Sequence, residues 1–252
     1  MRAMVIENPT GLYETRALAQ LYDTTGRARP DMEYCRQLAA GAARVLDLGC
    51  GTGAFAASIP EGRHVVGVDP SAEMLQVARG RTGGQAVTWV AADAASVRLA
   101  QAFDLIVLTG HSFQVFLTEA AQLGVLRSIA AHLAPEGRFV FDTRNPDFPG
   151  RKERSTEQTR RVVQADGFGP VEMWNSSTYD AATGILSYEN HYRIVETGEV
   201  HSGGDRIRYT RQPDLAAMLA EAGLRVDRWM GDWQGRPFMP DAPEIIPLGG
   251  LA

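Results

Sequence analysis

Residues 45–53 read VLDLGCGTG and residues 65–69 read VVGVD, and these two stretches decide the fold. Each contains an apolar run that meets an acid, and three glycines alternate with small residues at the end of the first. The pattern predicts a strand, a tight glycine turn, the start of a helix and a parallel strand with a carboxylate at its carboxyl end. Because glycine has no β-carbon, such a turn lets a polar small molecule lie against the backbone.

The glycines of this turn fit two kinds of ligand. Gly49, Gly51 and Ala54 match the dinucleotide fingerprint G-x-G-x-x-G/A, and Asp69 stands 20 residues after Gly49, where a ribose-binding acid belongs. Asp47 opposes a dinucleotide because its carboxylate would lie near the pyrophosphate, and like charges repel in a poorly solvated cleft. A ligand with an ammonium, a sulfonium and a ribose but no phosphate would be attracted to Asp47. S-adenosylmethionine has this composition.

On these residues the chain resembles the class I S-adenosylmethionine-dependent methyltransferases, whose first motif has the form D-x-G-x-G. The resemblance covers residues 43–145 and 213–246. In that family the glycine loop surrounds the methionine part of the cofactor, an acid ending the second strand binds the ribose, and an acid after the third strand meets the adenine. The resemblance therefore implies cofactor-binding roles at and beside these positions, for Asp47, Gly49, Cys50, Gly51, Gly53, Asp69, Pro70, Met74, Asp93, Ala94 and Thr109.

Each of these assignments has a structural alternative. The glycines can serve only as turn residues between a strand and a helix. Asp69 can act as the N-terminal cap of the following helix, a duty that Ser71 can share. Asp93 can be a solvated acid in a polar loop. The signals occur in the expected order after successive strands, and this order favours the cofactor interpretation.

Length and composition are those of one globular domain with an insertion. The chain has 252 residues, 44% of them hydrophobic, with a net charge of −5 and a pI of about 5.6. This charge offers no cationic surface to nucleic acid, so a nucleic acid partner is disfavoured. Cys35 and Cys50 are the only cysteines, too few for a zinc site or a disulfide framework, and no metal is expected.

The compartment is predicted from two features of the sequence. The first nine residues lack the continuous apolar core of a signal peptide. No uninterrupted apolar run reaches the ~20 residues needed to cross a membrane. We therefore expect a cytoplasmic protein without membrane contact. The oligomeric state is left open, with a homodimer among the alternatives.

Three segments of the chain differ in their apolar pattern. Residues 10–42 have helical spacing, and the resemblance implies that residues 1–42 form an N-terminal helical lid. Residues 43–146 and 212–252 are expected to form the S-adenosylmethionine-binding domain, an α/β Rossmann-like fold with a seven-stranded, mostly parallel sheet and helices on both faces. Residues 147–211 depart from this pattern, and the alternation within 171–179 and 185–194 predicts that they form a small antiparallel β insertion after the fifth strand, roofing the active site.

Individual elements follow from the same patterns. Strands are predicted at 45–48, 65–68, 87–90, 103–108 and 138–142, and helices at 54–59, 72–79 and 120–133. Within the insertion, strands are predicted at 171–179, 185–194 and 204–209. A helix at 213–224, a sixth strand at 225–233 and a seventh, antiparallel strand at 243–248 complete the prediction. Pro247 predicts that the seventh strand is short or broken.

A histidine follows the fourth predicted strand, where the resemblance places residues near the transferred methyl. Residues 109–113 read TGHSF and lack the Asp/Asn-Pro-Pro-aromatic motif of enzymes that methylate the amino groups of nucleic acid bases. His111 is the candidate general base, since a histidine with a pKa near 6.5 can accept a proton from an acceptor hydroxyl. The alternative is a histidine that is hydrogen-bonded within its loop.

Five further side chains are candidates for binding the acceptor: Tyr13, Tyr22, Arg144, Trp174 and His191. The two tyrosines lie in the lid, where packing is the alternative role. Arg144 can clamp an acidic acceptor with two hydrogen bonds, but an ion pair with Asp142 or Asp147 is slightly favoured. The two remaining rings belong to the aromatic-rich insertion, where sheet packing explains most rings.

The predicted function is transfer of a methyl group from S-adenosylmethionine to an oxygen or nitrogen of a small organic molecule, with S-adenosylhomocysteine as product. Displacement at a carbon activated by positive sulfur mainly requires alignment and exclusion of water. Three alternatives remain: a methyltransferase acting on RNA or protein, an enzyme of another reaction that retains the cofactor site, and a cofactor-binding protein without activity.

Overall fold

The computed structural model describes residues 11–25, 29–149 and 153–252. The signal-peptide expectation for the first nine residues, and part of the predicted lid, lie outside the described residues. Within these ranges, no helix combines the length and apolar character needed to span a membrane.

Twelve strands and six α-helices are present in the described ranges. In chain order the strands are β1 (Arg44–Leu48), β2 (His64–Asp69), β3 (Val87–Ala91), β4 (Phe103–Leu108), β5 (Leu133–Phe141), β6 (Thr143–Arg144), β7 (Arg161–Ala165), β8 (Gly169–Asp180), β9 (Ile185–Ile194), β10 (Val200–Arg208), β11 (Leu224–Met230) and β12 (Glu244–Leu251). The helices are α1 (Arg16–Leu21), α2 (Pro30–Ala39), α3 (Ala72–Gly80), α4 (Glu119–His132), α5 (Thr156–Thr159) and α6 (Gln212–Glu221).

The central sheet confirms the predicted Rossmann-like fold class. Its strand order is β11-β12-β5-β4-β1-β2-β3, and the two-residue β6 pairs with β12 as an eighth strand. The strands from β3 to β5 pair in parallel, whereas β12 is antiparallel to both of its neighbours. Separate apolar clusters cover the two faces of the sheet. The carboxyl ends of β1, β2, β4 and β5 therefore meet at one edge.

One predicted helix is much shorter than expected. The apolar residues 54–59 form only a 3-10 turn at Ala56–Ser58. The Ser58 hydroxyl donates to the Phe55 carbonyl at 2.7 Å, and Pro60 follows shortly after. A serine that bonds back to the preceding turn and a nearby proline both oppose continuation of a helix.

A second, antiparallel sheet forms from the predicted insertion, and we call it the roof sheet. It has four strands in the order β10-β9-β8-β7, so β7 is one strand more than the sequence predicts. Helix α1 packs against one face of this sheet, where Leu18 and Leu21 join Val171, Met173 and Tyr192 in a buried cluster. The N-terminal segment therefore lies between the roof sheet and the main domain.

The prediction that Pro247 shortens or breaks the last strand is wrong. Strand β12 runs from Glu244 to Leu251 and includes the proline. On the side of β5 and β6, the pairing register skips Ile246 and Pro247, because β5 ends at Phe141 and β6 starts only at Thr143. A proline has no N–H group to donate to a neighbouring strand. None is needed on this side of Pro247, because neither β5 nor β6 pairs with it.

The glycine turn after β1 is fastened to β2 by backbone hydrogen bonds. The N–H groups of Gly49 and Cys50 both donate to the Val68 carbonyl, at 2.8 and 3.0 Å. Gly53 has a φ of +73°, and a β-carbon there would lie 2.4 Å from the Trp89 ring and 2.7 Å from the Ala78 methyl. The turn therefore needs glycine at this position for both its backbone conformation and its packing.

We expect Gly53→Ala to lower the free energy of unfolding by about 2 kcal/mol or more, because left-handed backbone strain and overpacking each cost ~1 kcal/mol or more. Urea unfolding measures the change. Gly62→Ala is the matched control, since Gly62 has a φ of +93° with no atom within 4 Å of the added carbon. Equal losses for the two variants would contradict the packing argument.

Candidate active site

A cavity of about 1470 Å³ lies beyond the carboxyl ends of the central strands and beneath the roof sheet. It is lined by most of the residues that the sequence predicts for the site. Those predicted for the cofactor are Gly49, Gly51, Asp69, Pro70, Met74, Asp93, Ala94 and Thr109, and those predicted for the acceptor or for catalysis are Tyr13, Tyr22, His111 and Arg144. The structure thus brings together side chains from the N-terminal segment, the main sheet and its loops.

Asp69 is held at the tip of β2 by the glycine turn. Its carboxylate accepts the N–H of Gly51 at 2.8 Å and the N–H of Ser71 at 2.9 Å. Burial raises the pKa of Asp69, and these two backbone donors oppose the rise. Ser71, whose hydroxyl accepts the N–H of Met74, is the cap of α3. Asp69 therefore has its carboxylate at the cavity wall, with each oxygen able to accept another hydrogen bond.

Asp47 is buried at the end of β1, and only 1% of its surface is exposed. Its Oδ1 atom has no hydrogen-bond partner among the described residues. Burial raises the pKa of Asp47 to about 8, the negative charge of Asp69 adds to this, and a hydrogen bond from the Ala56 backbone opposes it. A buried, unpartnered oxygen beside the glycine turn fits the ammonium group of a bound cofactor. Direct contact with that group stays a prediction, because Asp47 does not line the cavity.

Two of the residues predicted for the cofactor face away from the cavity. Cys50 is buried, and Gly53 packs against Trp89, so both shape the turn from inside. Asp93 lines the cavity, is exposed, and accepts the N–H of Ala95 at 2.7 Å. Its contact with adenine stays a prediction.

His111 lies against two carboxylates. Its Nε2 is 3.0 Å from both Glu244 oxygens and 3.6 Å from Asp142 Oδ2. Its backbone N–H donates to Asp142 Oδ1 at 2.9 Å, which holds His111 at a left-handed φ of +65°. The Trp233 indole donates to Asp142 at 3.3 Å. Burial raises the pKa of Asp142, and the nearby His111 opposes the rise.

This histidine–carboxylate cluster (His111, Asp142 and Glu244) can take up a proton or hold a cation. All three residues line the cavity. The imidazole nitrogen and the carboxylate oxygens converge at one point of the cavity wall, where they can accept hydrogen bonds from a bound cation. One ligand atom from each residue lies within 4.8 Å of the others, a spacing that would also admit a metal ion.

Sequence reasoning missed Glu244 because 133 residues separate it from His111. One feature of the sequence could have indicated Glu244. The seventh strand of the predicted fold is antiparallel, so its first residue lies at the same edge as the carboxyl ends of the parallel strands. Glu244 is that first residue.

Two tyrosines of the N-terminal segment meet the roof sheet at the cavity. The hydroxyls of Tyr13 and Tyr188 are 3.0 Å apart, and the rings of Tyr13 and Tyr22 meet edge to face at 5.9 Å. Burial raises the pKa of Tyr13 and Tyr22 and raises the pKa of Tyr188 to about 12, so all three hydroxyls keep their protons near neutrality. Tyr188 is a cavity residue that was not among the sequence candidates.

Arg144 has a different partner from those expected. Its guanidinium donates to Gln114 Oε1 at 2.9 Å, and no ion pair with Asp142 or Asp147 is present in the described part of the chain. Asp147 pairs instead with Arg211 at 3.5 Å. Arg144 therefore carries a charge at the cavity wall that no ion pair among the described residues neutralises.

Trp174 and His191 do not line the cavity. Their rings stack at 5.2 Å on the opposite face of the roof sheet, and the Arg160 guanidinium lies 4.5 Å above Trp174. Side chains alternate between the faces of a strand, so the cavity-facing positions are their neighbours Asn175 and Asn190. Choosing residues by aromatic character selected the wrong face.

The fold and site define a class of protein. A glycine turn between two strand-tip acids, on a sheet with this order and an antiparallel last strand, is the arrangement of the class I methyltransferases. The profile of the family described as a methyltransferase domain matches residues 45–137.

Known proteins of this class resemble most of the chain. It is 25% identical to a cypemycin N-terminal methyltransferase from Streptomyces sp, over 80% of both chains. It is 28% identical to a trans-aconitate 2-methyltransferase from Paracidovorax citrulli, over 90% of this chain and 82% of the relative.

Solved structures share the fold. The CcbJ methyltransferase from Streptomyces caelestis has a TM-score of 0.78 at 24% identity, covering 97% of this chain and 99% of CcbJ. CalS10 from Micromonospora echinaspora, an amino pentose methyltransferase solved with bound S-adenosylmethionine, has a TM-score of 0.68 at 24% identity, covering 97% and 100%. These structures, together with the motif, the family match and the relatives, identify the chain as a class I S-adenosylmethionine-dependent methyltransferase with S-adenosylmethionine as cofactor.

We expect binding of S-adenosylmethionine to strengthen as the pH rises from about 6 to 7.5, by up to ~10-fold per pH unit. The carboxyl of Asp47, with its pKa of about 8, must lose its proton to meet the cofactor's ammonium, whose own pKa of about 7.7–8.0 lies above this range. Calorimetry measures the affinity. Asp47→Asn should bind more weakly and without this pH dependence, and Glu61→Gln, at an exposed loop position, is the control.

The cofactor-free protein should show the opposite effect of Asp47 on stability. Because folding raises the pKa of Asp47 from 3.8 to about 8, its contribution to stability is present below pH ~4 and is lost as the pH rises to about 8. Asp47→Asn stays neutral, so its melting temperature should exceed that of the wild type by a margin that widens from pH ~5 to pH ~8. A constant margin would contradict the raised pKa.

Proposed function

We propose that this methyltransferase methylates an amine nitrogen of a small molecule. The histidine–carboxylate cluster is the observation that carries the proposal. An acceptor amine is a cation near neutral pH and must lose a proton before its nitrogen can attack. Glu244 and Asp142 attract such a cation, and the cluster can then take its proton. A carboxylic acid acceptor would be repelled by the same two side chains.

The chain's own residues have separate tasks in this reaction. The bound cofactor supplies a methyl group on positively charged sulfur. The glycine turn and Asp69 bind its methionine and ribose parts, Asp47 receives its ammonium, and Asp93 meets its adenine. The cluster of His111 with Glu244 orients the amine and accepts its proton. The roof sheet and the lid tyrosines exclude water and align the acceptor, which displacement at carbon mainly requires.

The activities for which several related proteins are named support an amine acceptor. A cypemycin N-terminal methyltransferase is among the relatives in sequence, and the sugar N-methyltransferase KedS8 from Streptoalloteichus is among those in fold. CalS10 is an amino pentose methyltransferase, and MtfA is a glycopeptide N-methyltransferase. The trans-aconitate enzyme is named for an acid, so acidic acceptors are the competing class.

The remaining expectations belong to the same proposal. Residues 1–42 act as a lid, residues 147–211 act as a roof, and residues 43–146 with 212–252 bind the cofactor. Contacts of Asp23 with Thr52 and Arg81 support the lid, since they join it to the glycine turn and to the end of α3. Two buried, free cysteines are consistent with the cytoplasm. The net charge of −5 supports an enzyme that does not act on nucleic acid, and a homodimer remains part of the proposal.

We expect Glu244→Gln to reduce kcat/KM for a primary amine by ~10²-fold near pH 7, because the cluster loses a carboxylate that takes part in proton removal. The defect should shrink at a pH above the pKa of the amine, where solvent has already removed the proton. Steady-state kinetics across pH measures both effects. His111→Gln should behave in the same way, and Glu221→Gln, at a surface ion pair with Arg127, is the control.

The product identifies the acceptor atom. Carbon-13 NMR of product made with ¹³C-methyl cofactor separates N-methyl, O-methyl and methyl ester signals. An N-methyl signal supports the proposal. Methyl ester as the main product, or full activity of both cluster variants across pH, would overturn it.

A further inference from the structure

The face of the roof sheet that lines the cavity has a strip of polar side chains that the proposed reaction does not use. We call these residues the roof strip: Asn175, Ser177, Tyr188, Asn190 and Asp205. They come from three adjacent strands, β8, β9 and β10. Their shared position is set by the pairing register and by the alternation of side chains along each strand.

The register places the strip in two neighbouring rows. Asn175 is opposite Asn190 in one row. In the other row, Tyr188 lies between Ser177 and Asp205. Directly opposite residues on one face of an antiparallel pair have their β-carbons within about 5.5 Å of each other. Five polar groups therefore present one continuous surface to the cavity.

Apolar side chains border the strip at both ends. The row beyond Asn190 contains Met173 and Tyr192, and the row beyond Tyr188 contains Leu186 and Ile207. All four line the cavity. Arg161, directly opposite Met173 on β7, adds a charged side chain to the cavity wall beside this border. A polar strip next to apolar side chains orients a ligand, because only a correctly placed ligand satisfies its hydrogen bonds.

Three members of the strip lack side-chain partners that would explain them structurally. Within the described ranges, the side-chain amides of Asn175 and Asn190 make no hydrogen bond, and Asn175 is bonded only through its backbone, to Thr159. Asp205 accepts only the adjacent Arg206 N–H, at 2.7 Å, and forms no ion pair there. Burial raises the pKa of Asp205, and the backbone N–H and positive charge of Arg206 oppose the rise. Polar groups in such positions gain most from a ligand that supplies hydrogen-bond donors.

The hydroxyl pair of Tyr13 and Tyr188 extends the strip toward the lid. One of these hydroxyls donates to the other across 3.0 Å, which leaves the second hydrogen free to donate elsewhere. The strip therefore offers a carboxylate acceptor, an amide with both donor and acceptor, and a phenol donor. Hydroxyl groups, which donate and accept, match this combination.

We infer that the roof strip binds hydroxyl groups of the acceptor, with Asn190 and Asp205 as the specificity-determining residues. The inference rests on the proposed amine methylation and adds that the enzyme selects amines bearing hydroxyl groups over amines of the same skeleton without them. The amine end meets the histidine–carboxylate cluster, and the hydroxyl-bearing end meets the roof strip. A plain amine offers Asn190 and Asp205 no hydrogen-bond partner in the cavity, so it binds more weakly.

The test compares 4-aminocyclohexane-1,2-diol with cyclohexylamine. Their affinities for the protein saturated with S-adenosylhomocysteine are measured by NMR titration, so that turnover is not required. We expect the wild type to bind the diol at least tenfold more tightly. Asn190→Leu and Asp205→Asn should each bring this preference to within about threefold and leave the affinity for S-adenosylhomocysteine unchanged.

Glu189→Gln is the matched control, because Glu189 precedes Asn190 on β9 and is not among the cavity-lining residues. This variant should retain the wild-type preference. Circular dichroism of each variant confirms that the roof sheet has folded. Equal binding of the two amines by the wild type, binding of neither, or an unchanged preference in both strip variants would overturn the inference.

Methylation of the same two amines keeps the inference distinct from the proposed function. If both amines give N-methyl product at equal kcat/KM and bind equally, the roof strip inference fails and amine methylation stands. If the diol binds more tightly through Asn190 and Asp205 but neither amine is methylated, hydroxyl recognition stands and the amine proposal fails.

Discussion

The site depends on the hydrogen bonds that fasten the glycine turn to the second strand. Gly49 and Cys50 donate to Val68, and Gly51 donates to the carboxylate of Asp69. These bonds draw the tips of β1 and β2 together, so that Asp47 is buried beside a second acid and its pKa rises. Gly49 and Gly51 have φ values of +67° and +52°, which glycine adopts without strain and other residues rarely do. Such a pair of neighbouring acids attracts the positive charge of the cofactor.

Local signals in the sequence predicted the parts of the fold that depend on neighbouring residues. The strand, glycine turn and second strand form one continuous pattern, and the structure confirms the Rossmann-like sheet that this pattern implies. The lengths of the helices were predicted less well, since Ser58 and Pro60 reduce one expected helix to a 3-10 turn. Strand β7 was missed because a five-residue edge strand carries little periodic signal.

Contacts between distant parts of the chain limited prediction of the site. His111 was found from its place after β4, but its partners Asp142 and Glu244 follow from which strands end at the same edge. The roof sheet shows a different limit. Alternation predicts that two faces exist, but the choice of the inner face depends on where α1 and the main domain pack. Trp174 was therefore chosen in place of its neighbour Asn175.

Residues 11–25 bridge both halves of the site. The Tyr13 carbonyl accepts the Ser71 hydroxyl beside Asp69, and its phenol meets Tyr188 on the roof sheet. When binding of the cofactor orders this segment, the acceptor binds to a segment that is already ordered, and the reverse also holds. Thermodynamic linkage makes the gain in binding free energy equal in both directions. Departure of the spent nucleoside is thus coupled to escape of the methylated product, so that each is held more weakly once the other has left.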